Sequence, residues 1–298
     1  MPAVDKLSDG KVLTLQLKPT HDEAFKPQEL IQIKGHAALT LNARRAITLL
    51  WHNAHRQGIA AGKDYTIEIE QLKTDKHKGY ESVVEAVELL MQTILLIRLP
   101  NGKERRVQFL GGNDMTDSDR AAGVLTYSFD KRLTEIIERS AVWGQISLPV
   151  VRAFTSKYAV SLYENVSQKV NLTLVTSMDY SIQEFREMVG VTEDKYPVYG
   201  DLNRHVIKPA VAEINAMAHF YLTVLPIKRG KKVEQIKIGW HRKEADEMRD
   251  AQVEVNRPKK GRRARATEAA VQMVLELVPS SDRMVRQARM ARTSPKTS

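Results

Sequence analysis

Residues 199–240 read YGDLNRHVIKPAVAEINAMA, HFYLTVLP, IKRGKK, VEQIKIGW. An amphipathic stretch opened by Tyr199 is followed by a β run ending in Leu225-Pro226, a basic turn and a second β run. The same order occurs over residues 80–110: YESVVEAVELLMQ, TILLIRLP, NGKERR, VQFL. The two Leu-Pro pairs lie 126 residues apart. Helix, strand, basic turn, strand is the second half of a winged helix. Two copies predict an α+β protein of two tandem winged-helix domains, and such domains address DNA rather than enclose a small molecule.

In the later copy, successive helical residues advance by about 100°. Leu202, Val206, Ala210, Ile214 and Met217 then gather within roughly 120° of arc, widened by Ile207 and Val211. The opposite side carries Asp201, Arg204, His205, Lys208 and Asn215. A major-groove helix needs this division, with an apolar face for its own domain and Arg, Lys or Asn outward for base edges and phosphates. Arg204, His205, Lys208 and Asn215 are therefore candidate DNA contacts. Pro209 is predicted to bend the helix. A lone helix of this pattern is more often a solvated face, but a preceding helix and a following basic hairpin favour DNA. Lys228, Arg229, Lys231 and Lys232 crowd around Gly230. Like charges at a hairpin tip repel each other unless a phosphate backbone lies alongside.

The earlier copy differs. Its wing offers Lys103, Arg105 and Arg106 as phosphate contacts, but Glu81, Glu85 and Glu88 line the exposed face of its helix and would repel a groove. The first domain is thus expected to touch the backbone through its wing and to use its helix for protein contact. The second is expected to read sequence.

Composition agrees. The chain has 298 residues, room for two ordinary domains, and 42% hydrophobic content. No apolar run approaches the roughly 18 residues of a membrane span, and MPAVDKLSDGKVLTL lacks the pattern of a signal peptide. Zero cysteines exclude disulfides and thiolate metal sites. A cytoplasmic protein is expected. Of the net charge of +10, residues 257–298 carry +8 (11 basic against 3 acidic side chains), so the remainder is nearly balanced.

Along the chain, residues 1–30, with Pro19 and Pro27, read as a flexible arm. The first winged-helix domain is placed at 31–142, with a helix over 40–57 capped by Thr40, a strand at Tyr65–Ile69, a short helix at 70–77 and the 80–92 helix. Asn101-Gly102 marks its hairpin. A polar loop from Gly111, a strand at 124–129 and a helix at 130–139 complete it. The second domain is placed at 143–256. It has one long helix over 148–169, a helix over 181–189 with a Ser181/Glu184 capping box ended by Gly190, the 200–217 helix, the wing and a helix at 241–254. Residues 257–298 read as a basic, mostly disordered tail that opens with the linker RPKKGRRARA. Within it Val271, Val274, Leu275 and Val278 form a short apolar stripe, and Arg283, Arg286, Arg289 and Arg292 recur every three residues.

Residue patterns for catalysis or metal binding are incomplete. His52 and His55 lack a third ligand. Asp114, Asp117 and Asp119 lack the Gly and distal Glu of a calcium loop. Gly58–Lys63 (GIAAGK) is one residue short of a phosphate loop, with Asp64 where Ser or Thr belongs. A histidine pair that would hold a metal beside a nucleophilic tyrosine is missing, which disfavours a rolling-circle nicking enzyme. No cofactor and no enzymatic activity are expected.

The segments SKYAVSLYE (156–164), YSIQEFREMVGV (180–191), YPVYGDLNRHVIKPAVAEIN (196–215) and the IKRGKKVEQIKI wing resemble the Rep_3 family of plasmid replication initiators. The match is close in the second domain and one of layout in the first; the arm and tail are not covered. The resemblance implies a non-enzymatic protein of two winged helices that binds repeated double-stranded sites (iterons) at a plasmid origin as a monomer. It also implies opening of an adjacent AT-rich segment and recruitment of the host initiator and helicase machinery. A homodimer in equilibrium with the monomer, formed largely through the first domain, would bind the protein's own operator. A winged-helix transcriptional regulator without origin function is the alternative.

Overall fold

A computed structural model of the chain describes residues 12–73, 80–99, 102–114, 123–172, 174–262 and 264–266. The first half runs β1 (Glu23–Pro27), α1 (Gln28–Ile31), α2 (Leu41–Gln57), β2 (Asp64–Glu68), α3 (Ile69–Leu72), α4 (Glu81–Gln92), β3 (Ile94–Arg98), β4 (Glu104–Gln108), β5 (Leu110–Asp114), β6 (Val124–Phe129) and α5 (Lys131–Ile137). Thr40 caps α2 as its sequence position predicts, its hydroxyl accepting from Ala43 N–H at 3.2 Å. Strands β3 and β4 form the first wing, while β2, β6 and β5 make a separate antiparallel sheet behind it.

The second half runs β7 (Trp143–Ser147), α6 (Leu148–Ala153), α7 (Lys157–Ser167), β8 (Ser177–Ser181), α8 (Ile182–Val189), α9 (Tyr199–Leu202), a π turn over Asn203–Ile207, α10 (Lys208–Met217), β9 (Phe220–Arg229), β10 (Lys232–Arg242) and α11 (Ala245–Asn256). The order β8-β10-β9 makes the second wing a three-stranded antiparallel sheet. The capping box at Ser181 is present: its hydroxyl accepts from Glu184 N–H at 3.1 Å and Glu184 accepts from Ser181 N–H at 2.8 Å. The Ser181 hydroxyl also donates to that carboxylate at 2.8 Å, and the two bonds it accepts, from the backbone first, hold the Glu184 carboxyl below its usual range. The two winged helices follow one another along the chain and share one continuous hydrophobic cluster, from Ala24 and Trp51 through Tyr163 to Phe185, Ile214 and Trp240.

Four expectations need correction. Residues 12–30 are not a loose arm. Strand β1 pairs with β7 in the register Glu23↔Ser147, Ala24 and Leu30 are buried, and Trp51 Nε1 donates to the Phe25 carbonyl at 2.8 Å. The single helix over 148–169 is two helices. Glu213, fully buried on α10, accepts from Thr155 N–H at 2.8 Å and from the Thr155 hydroxyl, which draws the chain out of the helical path, and Ser156 caps the next helix. The polar loop at 111–114 is strand β5. A Cβ at Gly111 would lie 2.8 Å from the Phe129 carbonyl oxygen, so only glycine permits this approach.

Residues 257–266 are not a free linker. Arg262 is 1% exposed and donates to the carbonyls of Ala153 (2.7 Å), Glu254 (3.1 Å) and Arg257 (2.6 Å), while Arg265 pairs with Glu254 at 2.9 Å. Arg257, Arg262 and Arg265 are thus engaged with nearby carbonyls and the Glu254 carboxylate. The apolar stripe at 271–278, the arginine run at 283–292, Asn101, Asp117 and Asp119, and part of the helix at 70–77 lie outside the described residues.

Candidate nucleic-acid interface

The second winged helix brings its elements together as the sequence predicts. Helix α8 precedes a turn, then the segment 199–217, then the β9–β10 hairpin. Pro209 shapes the central segment. Its nitrogen has no hydrogen to give the His205 carbonyl four residues earlier, and its ring crowds that oxygen. The chain relieves both by widening into the π turn Asn203–Ile207 immediately before α10. Val206 and Ile207 face inward and are buried, while Arg204, His205 and Lys208 are exposed.

The wing tip is a two-residue turn of Gly230 and Lys231 between the paired Arg229 and Lys232. Gly230 has φ +60° and Lys231 a negative φ. That combination places glycine at the first central position of a hairpin turn whose twist matches its strands. Leu222, Ile236, Ile238 and Trp240 root the hairpin in the core. From Leu225 on β9, and beyond Gln235 on β10, where pairing with β8 ends, the strands extend outward, rising about 3.4 Å per residue. Lys228, Arg229, Lys231 and Lys232 are all exposed there.

The loop before the helix depends on two residues that sequence pattern does not single out. Arg186 on α8 is buried and donates to four carbonyls: Thr192 (2.6 Å), Lys195 (2.6 Å), Tyr196 (2.9 Å) and Glu193 (3.3 Å). It organises the turn in which Tyr196 takes φ +54°, a left-handed conformation rare for a bulky side chain. The Tyr196 ring then stacks on His205, with centroids 5.3 Å apart and planes at 18°. The signal in the sequence is positional: Arg186 lies beside Phe185 and three residues before Val189, on the buried side of α8.

Two candidates are corrected. Asn215 does not face outward. Its Nδ2 donates to the Leu222 carbonyl at 3.0 Å and its Oδ1 accepts from Leu222 N–H at 2.7 Å, so the whole amide is committed to joining α10 to β9. Arg105, in the first wing, turns to α5, where it pairs with Glu135 at 3.3 Å and donates to the Arg132 carbonyl at 3.4 Å. Strand alternation explains it: Arg105 shares its face with the buried Val107, while Glu104 and Arg106 are exposed on the other face. Lys103 is exposed at the wing's outer end. The glutamates of α4 are exposed as the sequence indicates. Among the described residues no group of three His, Cys, Asp or Glu side chains is arranged to hold a metal, and no helix is long and apolar enough to cross a membrane.

The fold that carries this helix and wing recurs among known proteins. Among solved structures the chain is similar to the Pi initiator protein in complex with iteron DNA, at 18% identity and TM-score 0.55, covering 75% of this chain and 98% of that one. A second similarity is to domains 2 and 3 of RctB, at 13% identity and TM-score 0.39, covering 68% and 80%. No curated protein matches the chain. The family profile described as "Initiator Replication protein, WH1" matches residues 23–167, and that described as "Initiator Rep protein, WH2" matches residues 181–240. The chain therefore belongs to the family of initiator replication proteins, built from two tandem winged-helix domains.

Proposed function

We propose that this protein starts plasmid replication by binding iterons, short direct repeats in duplex DNA at the plasmid origin. The observation that carries the reading is the second winged helix: Arg204, His205 and Lys208 exposed on one face, with four wing cations beyond them. A groove-facing helix and a phosphate-tracking wing are the two parts such a domain needs. Membership of the initiator family supports the origin as the target, and the similar Pi initiator was solved on iteron DNA.

In this reading the second domain reads the repeat, and Lys103 and Arg106 of the first wing add phosphate contacts. The protein has no catalytic step of its own. It helps open neighbouring AT-rich DNA, hands the origin to the host initiator and helicase machinery, and as a homodimer represses its own gene. It works in the bacterial cytoplasm on plasmid DNA.

Footprinting the full chain on DNA containing its own gene and flanking repeats tests the reading. Each repeat should be protected, with affinity at least about 10³-fold above that for unrelated duplex. Protection of a promoter alone would make the protein a regulator, and equal binding to all sequences would end the proposal. Supercoiled origin DNA should stay intact on incubation. A covalent tyrosine–DNA adduct would replace this reading with strand nicking.

A further inference from the structure

A cleft of about 770 Å³ opens between the start of α2, helix α4 and the α6–α7 junction, within the range of about 300–1,000 Å³ seen for ligand-holding clefts. Its apolar lining comes from Leu41, Ala86, Leu89 and Phe154, and Glu85 and Glu88 stand on its α4 side. Glu81 lies one turn further along the same helix. All three glutamates are exposed. Like charges at this helical spacing repel each other, so the face is complementary to an external cationic partner. The same charge disfavours a phosphate backbone along α4.

Lys259 also lines the cleft, on the chain segment pinned by Arg262 and Arg265. The chain therefore passes the cleft seven residues before Ala266, the last described residue. We propose that this cleft is the docking site of the chain's C-terminal segment, residues 271–292. The stripe Val271, Val274, Leu275 and Val278 matches the apolar lining, and Arg283, Arg286, Arg289 and Arg292 match the α4 glutamates. No Asp or Glu occurs from Arg283 to the last residue, Ser298.

Reach is ample. The 17 residues after Ala266, up to and including Arg283, span about 55 Å when extended and about 20–25 Å as a flexible coil. A short tether of this kind supplies a local concentration on the order of millimolar, which outweighs a second copy at ordinary protein concentrations. Docking would hold the tail's arginines on α4 and away from DNA, making the tail's contribution to DNA binding conditional on its release.

The chain contains no cysteine, so an engineered pair gives an unambiguous readout in the full-length protein. Glu88→Cys with Arg289→Cys should form an intrachain disulfide under mild oxidation several-fold faster than a control pair, Glu234→Cys with Arg289→Cys, whose first member lies on the wing. The rate should be independent of protein concentration and should fall towards the control in 1 M salt, where screening acts within about 3 Å. Glu88 and Glu234 are exposed, so neither change touches the core. Equal rates for the two pairs would overturn the proposal. So would cross-linking between chains that rises with concentration, which would assign the cleft to a second copy.

Discussion

In the proposed reading Arg204 is the side chain placed to contact a base. It is exposed on the π turn, beside the His205 ring that Tyr196 supports. Arg204→Ala should cost about 1–3 kcal/mol on a cognate repeat and much less on random DNA, measured by titration at fixed salt. Equal losses on both would make Arg204 a phosphate contact. Asn215 should behave in the opposite manner. Asn215→Ala leaves the N–H and carbonyl of the buried Leu222 without partners, so equilibrium unfolding should show a loss of about 1–3 kcal/mol, with the ratio of specific to random binding unchanged. A changed ratio at unchanged stability would return Asn215 to the DNA interface. A helical wheel places Arg204, His205 and Lys208 correctly because their exposure depends on their own helix. It misplaces Asn215 because a wheel does not include the strand that passes over the helix end. The role of Arg186 is hidden for the same reason: its place on the buried side of α8 is legible, but the carbonyls it serves are gathered by a loop.

At the scale of elements, the legible parts are those written in neighbouring residues. The Ser181/Glu184 box, the Thr40 cap, the α4 and α10 apolar faces and the Gly230 turn are all local signals, and each stands where the sequence puts it. Strands β1, β7 and β8 are not legible. Each has five residues, and β1 exists as a strand because Glu23–Pro27 finds a partner far along the chain in Trp143–Ser147. The break between α6 and α7 likewise depends on Glu213, brought from α10. The wing is the element whose role can be separated from base reading. Lys231→Gln with Lys232→Gln should weaken binding by a similar factor on cognate and random DNA. For every phosphate that no longer meets a cation, the slope of log K against log salt should flatten by about 0.9. An unchanged slope would show that this hairpin points away from DNA.

At the scale of the whole molecule, buried polar groups join the N-terminal elements to the helices of the second half. Lys26 on β1 donates to Glu164 on α7 at 2.8 Å, and Thr48 on α2 donates to the same carboxylate at 2.6 Å. Gly190, with φ +71°, packs where any Cβ would strike the Arg44 guanidinium, so the end of α8 and the α2 region are fitted to each other. His36 completes this contact and gives it a pH dependence. Its Nε2 lies 2.9 Å from the Glu187 carbonyl, which can only accept, so Nε2 carries the proton and Nδ1 accepts from Arg44 Nη1 at 2.9 Å. A second ring proton would face a guanidinium in a buried site. Burial first, and then the Arg44 charge, push the His36 pKa down to about 3, against about 6.5 in the unfolded chain. Between those values the unfolded state takes up a proton that the folded state refuses, so stability falls as pH drops below about 6.5, by roughly 2 kcal/mol from this residue at pH 5. Glutamine can donate to Glu187 and accept from Arg44 without titrating. In urea unfolding of His36→Gln, the difference in stability between pH 7 and pH 5 should therefore shrink by about 2 kcal/mol relative to the parent chain. An unchanged difference would mean that His36 takes its proton in the folded state, and that its contacts with Arg44 and the Glu187 carbonyl open to water at low pH.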